Sequence, residues 1–126
     1  MDIRCLIVDD SRSFLDAARV LLEREGLAVA GVASTIAEAL DAAEALRPNV
    51  ILVDVSLGEE SGLELARQLA ADGRHAGATV ILISTLAESD YGDLIPASPV
   101  AGFLPKAELS AEVIRLIVAS REVRDA

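Results

Sequence analysis

Five polar residues stand at the ends of short apolar runs. Asp9 and Asp10 follow residues 3–8, Asp54 follows 50–53, Ser84 follows 79–83, and Lys106 comes shortly after 100–104. Three carboxylates gathered in a partly desolvated crevice repel one another, and that repulsion is relieved either by raised pKa values or by a cation. Mg²⁺, or Mn²⁺ in its place, is the natural cation: it takes oxygen ligands, needs only one or two carboxylates, and keeps other positions for water and phosphate oxygens. A carboxylate beside such an ion can act as a nucleophile toward phosphorus and form an aspartyl-phosphate. The Lys106 ammonium would neutralise the transferring oxygens. Any one of these residues alone reads better as a loop residue or a helix cap; five at corresponding positions do not.

The elements that must position them are legible. The runs 3–8, 28–33, 50–53, 79–83 and 100–104 are short and rich in β-branched residues, as strands are. Between them apolar residues recur at helical spacing, as in Phe14, Ala18, Leu21 and Leu22, then Ile36, Ala39, Leu40 and Ala43. Thr35 with Glu38 and Ser61 with Glu64 have the form of capping boxes, Gly26 is placed to end the first helix, and the last helix opens near Ser110 and buries Val113, Ile114, Ile117 and Val118. The fourth helix is the weak one: residues 88–95 contain Gly92 and run into Pro96 and Pro99, so only a short, mobile helix is expected. Alternating strands and helices predict an α/β doubly wound, five-stranded parallel sheet with helices on both faces and right-handed crossovers. The unbroken apolar run 50–53 belongs at its centre. In such a sheet, sites form beyond the carboxyl ends of the strands, which puts the five residues on one rim.

Composition narrows the function classes. The 126 residues suit one domain, 1–126, with its core at about 3–118, and no repeat or linker divides them. A net charge of -10 argues against direct nucleic-acid binding, which rests on clustered Lys and Arg. The single Cys5 sits in an apolar run and reads as a buried small hydrophobe. Two aspartates arrive before any signal-like segment forms and no apolar stretch could span a bilayer, so a cytoplasmic protein without membrane contact is expected. His75, in a polar loop, reads as a solvated residue, and the acidic run at Glu59 and Glu60 as a solvated loop.

Taken together, the motifs resemble the response regulator receiver domains of bacterial two-component signalling, from Ile3 to about Val118. Asp10 and Asp54 stand 44 positions apart, Asp54 and Ser84 30, and Ser84 and Lys106 22, as is typical of receivers. The resemblance implies the flavodoxin-like strand order 2-1-3-4-5. It makes Asp54 the phosphoacceptor for a histidine kinase or phosphotransfer protein, and assigns Mg²⁺ to Asp9, Asp10, Asp54 and the backbone carbonyl of Ser56. Ser84 and Lys106 would hold the phosphoryl group, and Phe103 takes the place of the switch aromatic. Ser56 and Leu86, with Thr85 beside them, flank the path of hydrolytic water. The face formed by the fourth helix, fifth strand and fifth helix becomes the switch surface and a route to a homodimer. Such a domain catalyses only its own phosphorylation and dephosphorylation. The segments LGEESGLEL and GFLPKAEL are similar to receivers that precede helix-turn-helix output domains in transcription regulators, although this chain carries no such domain.

Two departures stand out. Receivers often place a cis-linked proline after the lysine; here Pro105 precedes it and Ala107 follows. Gly58 occupies a position where many members have proline, which predicts a looser turn. A haloacid-dehalogenase-like phosphatase also uses an aspartate nucleophile after a parallel strand, but its general acid lies two residues later, where this chain has Ser56. A degenerate receiver acting only as an interaction module would be expected to lose one of the five rim residues, and none is lost.

Overall fold

The computed structural model describes residues 2–125. A parallel sheet of five strands forms from β1 (Arg4–Val8), β2 (Ala28–Ala33), β3 (Val50–Asp54), β4 (Thr79–Ser84) and β5 (Gly102–Pro105), in the order β2-β1-β3-β4-β5. This is the expected flavodoxin-like order, with β3 central and all five of its residues buried. The helices are α1 (Arg12–Arg24), α2 (Ile36–Leu46), α3 (Gly62–Ala71) and α4 (Ala111–Asp125).

Alternation along β1 builds two cores. Cys5 and Ile7 join Leu15, Ala18 and Leu22 of α1 and Ile114 and Val118 of α4, while Leu6 and Val8 join Ala39 and Ala43 of α2 and Leu65, Ala66 and Leu69 of α3. Each large side chain fully removed from water contributes roughly 1.5–3 kcal/mol, so the sheet is held firmly from both faces. Burial pushes the Cys5 thiol up to about 12, which leaves it an inert hydrophobe. Among the described residues no helix is long and apolar enough to cross a membrane.

Helix starts follow the hydroxyl caps. Ser11, Thr35, Ser61 and Ser110 each accept a backbone N–H from the first turn of α1, α2, α3 and α4. The reciprocal half of each expected capping box differs. Glu38 reaches back to the Ser34 N–H at 2.9 Å, one residue before the cap, and Glu64 pairs with Arg67 at 3.0 Å.

Four local expectations are corrected. No α-helix forms over residues 88–95: a 3-10 turn spans Glu88–Tyr91 and further turns follow, because Gly92 turns back at φ 57 and the prolines stop propagation. The last strand begins at Gly102, two residues later than the apolar run suggested. The turn after β3 is a hairpin pairing Ser56–Leu57 with Glu60–Ser61, with Gly58 at φ 66. Glu60 stays exposed, as expected, and accepts the Ile36 N–H at 3.0 Å, capping α2 from outside. His75 is buried and not solvated. Asp72 caps the 3-10 turn Gly73–His75 and folds the imidazole inward, 3.7 Å from its own carboxylate. The described residues contain no cis peptide bond, so Pro105 is trans.

Candidate functional site

Two strand ends and two loops deliver the rim. Asp54 is the last residue of β3, Ser84 the last of β4, Asp9 and Asp10 follow β1, and Lys106 follows β5. Parallel register sets their height: Val8 pairs with Val53, and Asp54 with Ile83. Asp9 is fully buried and Asp10 exposed. The Asp9 main chain donates to Ala33 at 3.0 Å, and its Oδ1 accepts the Ser11 N–H at 2.8 Å, tying the acid to the start of α1.

Asp54 is held from three sides. Its Oδ1 accepts the Ser56 N–H at 3.0 Å and its Oδ2 faces Lys106 Nζ at 2.9 Å. Behind it, α3 begins so close that a Cβ on Gly62 would lie 1.9 Å from the Asp54 carbonyl oxygen; only glycine fits. Burial raises the Asp54 pKa from its ordinary value, and the Asp9 charge adds to the rise; the Lys106 ammonium and the Ser56 N–H oppose without cancelling it. For Lys106, burial pulls the pKa down, but hydrogen bonds to Asp9 and Asp54 outweigh it and the net direction is upward.

Lys106 Nζ also lies 2.6 Å from Asp9 Oδ2. That oxygen is sealed from water, and the Lys106 ammonium is the group that meets its charge. One ammonium stands against three carboxylates, and ligand oxygens of Asp9, Asp10 and Asp54 all lie within 4.8 Å of one another. The donor set is all oxygen, a single ammonium does not balance three carboxylates, and the spacing suits a small octahedral cation; the residues fit Mg²⁺.

Three aromatic residues complete the surroundings. The Phe14 ring lies 4.3 Å beneath Lys106 Nζ, a cation–π contact that steers the ammonium across the pocket. Tyr91 packs edge-to-face on Phe103, with ring centroids 6.0 Å apart, and its hydroxyl hydrogen-bonds Ser84 Oγ. Sequence reasoning assigns no site role to Phe14, although it falls on the first turn of α1 just past the acidic pair, and none to Tyr91. Thr85 and Leu86 are exposed at the mouth, Ser56 is exposed opposite, and Phe103 is half-buried.

A family model for the response regulator receiver domain matches residues 5–118. The chain belongs to that family. Response regulator GacA of Pseudomonas viridiflava is 31% identical over 91% of this receiver and 53% of its own length, so the chain spans about half of that relative. The uncharacterized transcriptional regulatory protein YvfU of Bacillus subtilis is 33% identical over 96% of this chain and 62% of its own. Among solved structures, a response regulator from Burkholderia pseudomallei, described with a phosphorylated aspartic acid, calcium ion and citrate, superposes with a TM-score of 0.77 at 26% identity, covering 99% of this receiver and 74% of that chain.

Proposed function

We propose that the chain is the phosphoacceptor of a two-component system and takes a phosphoryl group on Asp54 from a phosphohistidine of a kinase or phosphotransfer protein. The observation that carries this reading is a carboxylate at the end of the central strand, bridged by one lysine to a second, buried carboxylate, with oxygens of these two and of Asp10 all within 4.8 Å of one another. Asp9, Asp10, Asp54 and the Ser56 carbonyl would hold Mg²⁺ or Mn²⁺. Once bound, the ion would neutralise phosphoryl oxygens and bring donor and acceptor together.

The protein's own groups do the rest. The Ser56 N–H and Lys106 orient the Asp54 carboxylate. Its attack forms a P–O bond as the donor P–N bond breaks, and the departing imidazole retains a proton. Lys106, positioned by Phe14, then meets a phosphoryl oxygen, and Ser84 donates to another. The mixed anhydride so formed is hydrolysed slowly at the same site; the domain acts on no other substrate. The output is a changed surface around residues 86–106 and α4, through which a second copy or an output partner associates, in the cytoplasm and without direct contact to nucleic acid by this domain. Control of transcription is the output favoured by the resemblance to YvfU.

Incubation with acetyl phosphate and Mg²⁺, followed by intact-mass measurement, tests the reading. The unaltered protein gains one phosphoryl group, and Asp54→Ala or added EDTA prevents it; undiminished uptake in either case overturns the assignment. Asp10→Asn removes one ligand charge and lowers Mg²⁺ affinity on the order of tenfold by calorimetric titration; unchanged affinity excludes Asp10 from the cation site.

A further inference from the structure

Ser84 Oγ is already engaged by the segment that follows it. It accepts the Leu86 N–H at 3.0 Å and hydrogen-bonds the Tyr91 hydroxyl, and the structure gives it no hydrogen bond to Asp54 or Lys106. A serine hydroxyl has one proton and two lone pairs. With one lone pair taken by Leu86, the bond to Tyr91 uses either the remaining lone pair or the only proton.

Tyr91 is set apart by its place in the fold. From Thr85 to Leu94 every other residue is exposed. The other hydrogen bonds of segment 85–100 reach no further than four residues along the chain, whereas Tyr91 to Ser84 spans seven. Phe103 has no hydroxyl, so the tie between the strand-end serine and the aromatic pair passes through Tyr91 alone.

We propose that Tyr91 is a latch on the phosphoryl-binding hydroxyl: in the unphosphorylated protein it holds Ser84 away from Asp54, and phosphorylation must draw Ser84 off Tyr91. This deepens the phosphoacceptor reading and rests on it. Whichever of the two donates in the Ser84–Tyr91 bond, movement of the Ser84 hydroxyl toward Asp54 parts it from Tyr91. Phosphoryl binding and the Tyr91 bond thus compete for the position of one serine, and segment 85–100 loses its longest hydrogen bond. A ligand shifts such an equilibrium only by its preference for one state. Removing the latch therefore raises affinity for any phosphoryl mimic.

The test is Tyr91→Phe, which keeps the ring against Phe103 and removes only the hydroxyl. Beryllofluoride with Mg²⁺ is titrated against the unaltered protein, Tyr91→Phe, Ser84→Ala and the double variant. Tyr91→Phe is expected to bind about fivefold tighter, the equivalent of one net hydrogen bond, and to gain nothing in the Ser84→Ala background, a dependence that loss of packing would not show. The chain has one tyrosine and no tryptophan, so intrinsic fluorescence reports Tyr91 alone; in the unaltered protein it changes as beryllofluoride binds. Equal or weaker binding by Tyr91→Phe, or the same gain without Ser84, overturns the latch while leaving the phosphoacceptor reading intact. Absence of beryllofluoride binding by the unaltered protein overturns both.

Discussion

Asp54 ends a strand with every residue buried, backed by the first turn of α3 and flanked by a buried aspartate capped from α1. Ser84 also ends a fully buried strand, yet beyond it the chain enters a 3-10 turn and a series of local turns exposing Leu86 and Leu94. The acidic side of the rim is anchored through two helices and two strands; the hydroxyl side borders a segment with few long-range ties. Local opening free energies track such differences. A phosphoryl group formed on the anchored side can thus move the weakly tied side at small cost, whereas the reverse arrangement would disturb the nucleophile and spare the surface that must report.

The largest effect expected from disturbing this contrast is on the anchored side. Gly62→Ala would drive a Cβ into the Asp54 carbonyl, where neither backbone can yield without shifting the nucleophile. Overpacking of this kind costs roughly 1–3 kcal/mol. Urea denaturation should show that loss, together with reduced phosphoryl uptake. A comparable substitution at exposed Gly92, whose φ of 57 is strained for alanine but whose surroundings are open, should cost less and leave uptake intact. Equal costs at the two sites would mean that the halves are not anchored differently.

How much of this contrast is visible in sequence depends on the range of the interactions involved. The strands, the central place of β3, the five rim residues and the hydroxyl caps follow from local periodicity and from which residue ends each apolar run, whereas the full strand order is implied by the resemblance to receivers. His75 was misplaced because its burial depends on Asp72 turning the chain inward, a local bond with a tertiary consequence. Glu60 capping α2 and Phe14 beneath Lys106 join residues distant in sequence, which no periodicity encodes. The missing fourth helix is half legible: Gly92, Pro96 and Pro99 announce a break, but nothing in residues 88–91 distinguishes a short α-helix from the 3-10 turn that forms there.

A smaller effect should appear in the charge balance of the anchored side. Burial raises the Asp54 pKa above its ordinary value of 3.8. For a carboxyl with a raised folded pKa, the stabilising contribution is present below the unfolded pKa and is lost as pH rises through the folded one. At neutral pH without metal, ionised Asp54 is therefore a net cost to the fold. Asp54→Asn should stabilise the EDTA-treated protein at neutral pH by about 1 kcal/mol, and the gain should vanish below about pH 3.8, where Asp54 is protonated in both states. Denaturant unfolding at the two pH values checks this, and a gain that persists in acid would assign the effect to shape rather than charge.

The smallest effect concerns the lifetime of the phosphorylated state, and it lies where the two halves meet. Water that hydrolyses an aspartyl-phosphate must line up behind phosphorus opposite Asp54. Ser56 flanks that approach from the anchored side, and Leu86 with Thr85 from the weakly tied side. Leu86 is 51% exposed, has no polar atom in its side chain, and can only exclude water. Thr85 narrows the same entrance. Ser56 can hold a water, but its short hydroxyl reaches less far than an amide would. Hydrolysis is expected to be slow for want of an orienting group. Leu86→Glu with Ser56→Asn should accelerate it about threefold, the rate equivalent of a weak net hydrogen bond. The substituted groups act by placing water, leaving the acid cluster untouched. Phosphate release from purified phosphoprotein in excess Mg²⁺ without kinase gives the rate. Because Leu86 belongs to the weakly tied segment, a glutamate there is held loosely, so Ser56→Asn alone should supply most of the gain. If Leu86→Glu alone supplies it, the segment is better ordered around the phosphoryl group than in the unphosphorylated fold, and the contrast between the two halves is a property of the resting state only.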